Sequence, residues 1–155
     1  MRRELILDII KKHPGIGFNE ISRQSKLSNG VVAHYILQLV KDCEIVKSGI
    51  RAKYFVNGIP QKDIEMVVIL SNSTNLKIAK ILLEKSPLKS RNIVKLIGKS
   101  ISTVSVSLKN LEKANMIRRK IMNEDLNLTS DIGYEIINKK LLREKISKYY
   151  LKQQK

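Results

Sequence analysis

The chain has 155 residues, 43% of them apolar, which suits one compact domain or two very small ones with enough side chain to fill a core. Its charge is the outlier: 30 Lys and Arg against 14 Asp and Glu give +16, a surface that calls for a polyanionic partner, nucleic acid or an anionic membrane. The longest apolar run, Met66–Leu70, is far short of the roughly 20 residues of a membrane span. The start, Met1-Arg2-Arg3-Glu4, leads into an amphipathic pattern without a signal peptide's apolar region. A single cysteine, Cys43, excludes an internal disulfide, so the cytoplasm is the default expectation.

In chain order, Arg2–Lys12 reads as a helix with Leu5, Ile6, Ile9 and Ile10 on one face, broken by Pro14-Gly15-Ile16-Gly17. A second helix is expected from an Asn19 cap to near Ser25. Ser28 or Asn29 caps a third, whose buried stripe is Val32, Ile36 and Leu39 or Val40. Ile45–Lys47 and Lys53–Val56 alternate as two strands around a Ser48–Arg51 turn. Asp63–Leu70 is a short apolar helix. The order then recurs: helices at Leu76–Glu84, Ser90–Leu96 (capped by Ser90) and Ile101–Ala114, with Val104, Leu108 and Leu111 inward. Strands are expected at Ile117–Met122 and Leu126–Thr129, with Asn123-Glu124-Asp125 as their turn. From Asp131 to about Leu151 a basic amphipathic segment reads as one long helix carrying Ile136, Ile137, Leu141, Leu142, Ile146 and Tyr149.

The recurrence is an internal repeat. Ile21, Ser28, Val32, Ile36, Leu39 and Ile45 match Ile93, Ser100, Val104, Leu108, Leu111 and Ile117, every pair 72 residues apart. The prolines that close the first helix of each half, Pro14 and Pro87, lie 73 apart. The expected division is residues 1–58, a linker helix at 59–73, residues 74–130, and a C-terminal helix at 131–155.

Three helices and a two-stranded hairpin make a winged helix. The run Ser100-Ile101-Ser102-Thr103-Val104-Ser105-Val106-Ser107-Leu108-Lys109-Asn110-Leu111-Glu112-Lys113-Ala114-Asn115-Met116-Ile117 resembles the recognition-helix signature of winged-helix regulators of the multiple-antibiotic-resistance and arsenic-repressor type, and Ser28–Leu39 is a weaker version of it. Two such units in one short chain resemble archaeal regulators with tandem winged helix-turn-helix domains. The resemblance covers the chain to about residue 130. Cys43 and Asn115 stand where the family usually has Gly, and the second wing's turn is acidic, unsuited to phosphate.

The resemblance implies a mainly α fold with small two-stranded β-wings, two tandem winged helix-turn-helix units plus a long C-terminal helix. It further implies a sequence-recognising regulator of transcription that binds double-stranded DNA and is not an enzyme. The third helix of each unit would lie in the major groove. The outward residues there are Asn29, Gly30, Ala33, His34 and Tyr35, with Leu37, in the first unit, and Ser102, Thr103, Ser105 and Lys109, with Val106, in the second. Phosphate contacts fall to Arg23, Lys26, Lys47, Arg51, Lys53, Arg91, Lys95 and Lys99. By resemblance also, Ile137, Leu141, Leu142, Ile146 and Tyr149 form a homodimer seam; the same helix could instead fold back on its own chain, or its lysines track phosphates.

Each of these residues has a plainer reading: exposed Ser, Thr, Lys and Arg are commonly just solvated, His13 is a helix-end residue suited to the dipole, and Cys43 is a small packed residue. Two distant histidines and one cysteine match no metal-ligand spacing, and no cofactor is expected. The sequence has no Gly-rich phosphate loop, His-Glu-x-x-His or nucleophile elbow. Two rivals remain. One is a winged-helix protein-interaction adaptor of the transcription or chromatin machinery. The other is an RNA binder, which should show more stacking aromatics than the 5% here.

Overall fold

The computed structural model describes residues 1–49, 51–122 and 132–150. Contacts divide the chain into two units, Met1–Val68 with the chain's end from Ser147, and Ile69–Ile146. The expected linker helix and C-terminal helix therefore do not stand apart as segments of their own; each belongs in part to both units.

The first unit comprises α1 (Arg2–Lys12), β1 (Ile16–Gly17), α2 (Phe18–Ser25), α3 (Asn29–Lys41), β2 (Ile45–Ser48), β3 (Lys53–Val56) and most of α4 (Gln61–Leu70). Its strands form one antiparallel sheet in the order β1-β3-β2, with Ile16 opposite Tyr54 and Val46 opposite Phe55. β3 is buried on both faces, as its period of two allows. Tyr54 joins a core of Ile6, Ile10, Ile21, Val32, Ile36, Leu39 and Ile45. Phe55 joins a second cluster with Ile64, Val67 and Tyr149. Gly15 cannot be replaced cheaply: its φ is +84°, and a Cβ there would sit 2.6 Å from Val67 Cγ1.

The second unit continues with α5 (Ser73–Lys85), β4 (Leu88–Lys89), α6 (Ser90–Ile97), α7 (Ile101–Lys113), β5 (Ile117–Ile121), β6 (Ile132–Ile136) and most of α8 (Lys139–Tyr149). Its sheet has the same antiparallel plan, β4-β6-β5, with Leu88 opposite Tyr134 as Ile16 is opposite Tyr54. Ile78, Leu82, Ile93, Leu111 and Ile117 are fully buried.

The repeat extends to the backbone hydrogen bonds. Glu44 N donates to Leu39 O at 2.9 Å and Met116 N to Leu111 O at 3.1 Å; Asn57 N donates to Glu44 O and Ile137 N to Met116 O. The left-handed residues repeat too: Lys26 and Gly98 close α2 and α6, and Cys43 (φ +60°) and Asn115 (φ +57°) follow α3 and α7. These last two are the positions where the resembled family carries Gly, and the chain must turn left-handed there to return the next amide to the helix end.

Several expectations need correction. The sheets have three strands, because the two-residue strands β1 and β4 add an edge that no alternation announces. The return strand of the second wing is Ile132–Ile136; the expected strand Leu126–Thr129 and its acidic turn at 123–125 lie outside the described residues, as does Ile50 of the first turn. The long helix expected from Asp131 therefore begins only at Lys139, and Ile136 and Ile137 are not on it. The reason is a longer second wing. Tyr54 and Tyr134, which face equivalent partners, are 80 apart where the elements before the wings keep 72. α2 begins at Phe18 and α6 at Ser90, so Asn19 and Ser90 are not caps; Gly17 and Lys89 precede them with no side-chain cap bond. Cys43 is exposed and not packed. His13 does sit at the C-terminal end of α1.

Tyr149 donates to the buried carboxylate of Asp63 at 2.6 Å, fastening the end of α8 to α4 inside the first unit. Burial first, then the bond to Asp63, raises the phenol above its ordinary range. A raised folded-state pKa means that this stabilisation is complete below about pH 10 and is lost as the pH climbs past it. Tyr149→Phe is expected to lower stability by about 1–2 kcal/mol in urea unfolding at neutral pH. Cys43→Gly is expected to raise the urea midpoint. A left-handed L-residue costs about 1–2 kcal/mol, of which the freer unfolded glycine chain returns only about 0.4–1. Asn115→Gly should gain less, since Asn tolerates this region.

Candidate nucleic-acid interface

The third helix of each unit, α3 and α7, is oriented by what it buries. Val32, Ile36 and Leu39 of α3, and Val104, Leu108 and Leu111 of α7, are all inside. Leu39, and not Val40, completes the first stripe. Both helices start from a serine whose hydroxyl accepts the amide three residues on, Ser28 from Val31 and Ser100 from Thr103.

The opposite faces are therefore outward. On α3, Asn29, Gly30, His34 and Leu37 are exposed, whereas Ala33 and Tyr35 are half-buried and Tyr35 packs against the core. His34 sits edge-on to Tyr35, with ring centroids 5.2 Å apart, and its Nε2 lies 3.2 Å from Gln38 Nε2. On α7, Ser102, Thr103, Ser105, Val106 and Lys109 are all exposed, and so is Ile101, which the sequence reading passed over because it opens the helix ahead of the buried stripe. Ser100 Oγ also engages Thr103 Oγ1 at 2.8 Å and Ser102 Oγ at 3.2 Å.

The cations divide into held and unheld. Arg23 is held by Glu20 at 2.5 Å, which keeps the Glu20 carboxyl below its ordinary range. Lys26, Lys47 and Arg51 are exposed and Lys53 is half-buried beside them on the first wing; among the described residues none has an acidic partner. Arg51 and Lys53 also line an open cleft with Gly17, Phe18, Asn19 and Glu20 at the uncapped start of α2. In the second unit Arg91, Lys95, Lys99 and Lys109 are exposed without acidic partners among the described residues.

The second wing is different. Glu135 occupies the strand position that Phe55 holds in the first unit, opposite Arg118 where Val46 was opposite Phe55. It accepts Arg118 Nε at 2.9 Å and lies 3.6 Å from Lys120 Nζ, and Arg119 Nε reaches Glu112 at 3.2 Å. The hydrogen bond from Arg118 chiefly holds the Glu135 carboxyl below its usual range. Three wing cations are thus occupied within the unit.

Of the residues assigned to a dimer seam, Leu142, Ile146 and Tyr149 are buried within the chain itself. Only Ile137, which precedes α8, and Leu141 remain exposed. Among the described residues no three of His, Cys, Asp and Glu converge on a metal site, and no single helix is long and apolar enough to cross a membrane.

Comparison with known families finds two matches in tandem. Residues 1–65 match a family model described as an N-terminal HTH domain, and residues 72–119 match the bacterial regulatory protein, arsR family. No curated protein matches the chain. Among solved structures, ScpB from Mycobacterium tuberculosis is 10% identical over 94% of each chain, with a TM-score of 0.37. The DIP2311 protein from Corynebacterium diphtheriae is 12% identical over 88% of this chain and 26% of that one, with a TM-score of 0.32. The mRNA-binding domain of elongation factor SelB from E. coli, in complex with SECIS RNA, is 9% identical over 88% of this chain and 98% of that one, also with a TM-score of 0.32.

Proposed function

We propose, from the helix-turn-helix models matched in tandem over residues 1–65 and 72–119, that the chain is a tandem winged helix-turn-helix regulator that recognises sequence in double-stranded DNA by laying α3 and α7 in the major groove. The observation that carries this reading is the distribution of acid. No Asp or Glu occurs between Glu20 and Asp42, or between Glu84 and Glu112, the stretches that hold all of α3, all but the last turn of α7, and the turn before each. The second stretch carries Lys85, Lys89, Arg91, Lys95, Lys99 and Lys109 instead. A polyphosphate surface is drawn to such a face, and the nearest following acids stand at the C-terminal ends of the two helices, Asp42 just past α3 and Glu112 in the last turn of α7.

Within this reading, bases are met by Asn29, Gly30, Ala33 and His34 on α3 and by Ser102, Thr103, Ser105 and Lys109 on α7. Tyr35, half-buried against the core, is assigned no base. Phosphates are met by Lys26, Lys47, Arg51 and Lys53 and by Arg91, Lys95 and Lys99, with Arg23 joining by leaving Glu20. The uncapped starts of α2 and α6 add amide donors of the kind that bind phosphate. The first wing takes part and the second does not, its cations being tied to Glu135 and Glu112. One chain supplies two readers, so pairing of two copies is not required for the binding itself. No catalytic step is assigned.

Affinity for duplex DNA should fall about 10³-fold or more between 50 and 200 mM salt, with a log–log slope near −5 if about six phosphates are neutralised. A slope near −1 would remove phosphate contact as the basis. Glu135→Gln releases Arg118 and Lys120 while altering stability by less than about 1 kcal/mol, as exposed pairs do. It is expected to tighten duplex binding and steepen the salt slope by about 1–2; an unchanged slope would mean that the second wing stays clear of DNA even when its cations are free.

A further inference from the structure

The two readers differ where the repeat aligns them. Asn29 and His34 of α3, both capable of hydrogen bonds, correspond at the 72-residue offset to Ile101 and Val106 of α7. These two are β-branched, apolar and far into solvent, 76% and 58% exposed. Isolated exposed apolar residues are ordinary, but these two share one helix's outward face with exposed Ser102, Thr103, Ser105 and Lys109. The hydroxyls of Ser102 and Thr103 are moreover engaged by the capping Ser100. The N-terminal half of α7 thus offers Ile101, Val106 and Ser105 as outward side chains clear of the cap, Ser102 and Thr103 with hydroxyls shared with Ser100, and no Arg, Asn or Gln.

That is poor equipment for guanine or adenine, which are read by forked hydrogen bonds, but it suits the one apolar group that the major groove displays, the 5-methyl of thymine. We infer that α7 is a methyl reader: Ile101 and Val106 pack against thymine methyls, so that the second unit favours A·T-rich duplex while α3 reads by hydrogen bonding. This rests on the DNA-binding reading above and adds to it which bases the second unit selects and with which side chains.

Uracil differs from thymine by that methyl alone, which makes the test direct. The 155-residue chain is titrated with an alternating A·T duplex, the same duplex with uracil for every thymine, and an alternating G·C duplex of equal length. Binding to the thymine duplex is expected to be tighter than to the uracil duplex by at least about 4-fold, the factor for burying one methyl group. The G·C duplex should bind no better than the uracil one. In the double variant Ile101→Ser, Val106→Ser the thymine advantage should vanish; both side chains are exposed, and a circular dichroism melt confirms that the variant folds. Equal binding of thymine and uracil duplexes by the unaltered chain overturns the inference, as does a thymine advantage that survives in the double variant. Either result leaves DNA binding intact, whereas no binding to any of the three duplexes overturns the DNA-binding reading itself.

Discussion

Burial of one apolar stripe on each reader helix is the constraint from which everything else follows. Val32, Ile36 and Leu39 on α3, and Val104, Leu108 and Leu111 on α7, leave each helix one rotational setting in its unit. A fully buried side chain of this size is worth about 1.5–3 kcal/mol against exposure, so a turn of the helix that exposed three of them would cost a large share of a small domain's stability. The direction in which the outward residues face is thereby set by the buried side of each helix, as a surface that meets a rigid groove requires.

The two units share a skeleton but not a surface. The backbone hydrogen bonds and left-handed turns that end the helices recur 72 residues apart, because they close the same helices. The surfaces diverge at substitutions that leave this skeleton alone. Phe55 supports a second apolar cluster under the first wing, whereas Glu135 at the equivalent place gathers Arg118 and Lys120. One wing therefore presents its cations and the other consumes them. Asn29 and His34 against Ile101 and Val106 make the same kind of division on the readers. Duplication fixes the geometry, and single side chains then assign each copy its chemistry.

Most helices were legible in the sequence because they carry a period near 3.6, with a proline after α1 and α5 and a serine at the start of α3 and α7. The 72-residue repeat fixed the order of elements for the same reason. The edge strands β1 and β4 were not legible: two residues cannot alternate, and only the partner Tyr54 or Tyr134 makes them strands. β6 was misread as helix. Ile136, Ile137, Leu141 and Leu142 imitate helical spacing, while the alternation of Ile132, Tyr134 and Ile136 shows only once the longer second wing is known. At the interface, the sequence identified outward residues by elimination from the buried stripe, which worked for Asn29, His34, Ser102 and Ser105. It missed the half-burial of Tyr35, the pairing of Arg23 and the exposure of Ile101, all of which depend on neighbours that periodicity does not name.

The most direct measurement is an amide NMR titration of the isotopically labelled chain with a short duplex. Shifts should concentrate in residues 26–38 and 95–109 and on the first wing at Lys47, Arg51 and Lys53, with β5 and the buried helix α5 little affected. Shifts confined to α8 or to the second wing, with α3 and α7 silent, would contradict DNA recognition by the paired reader helices.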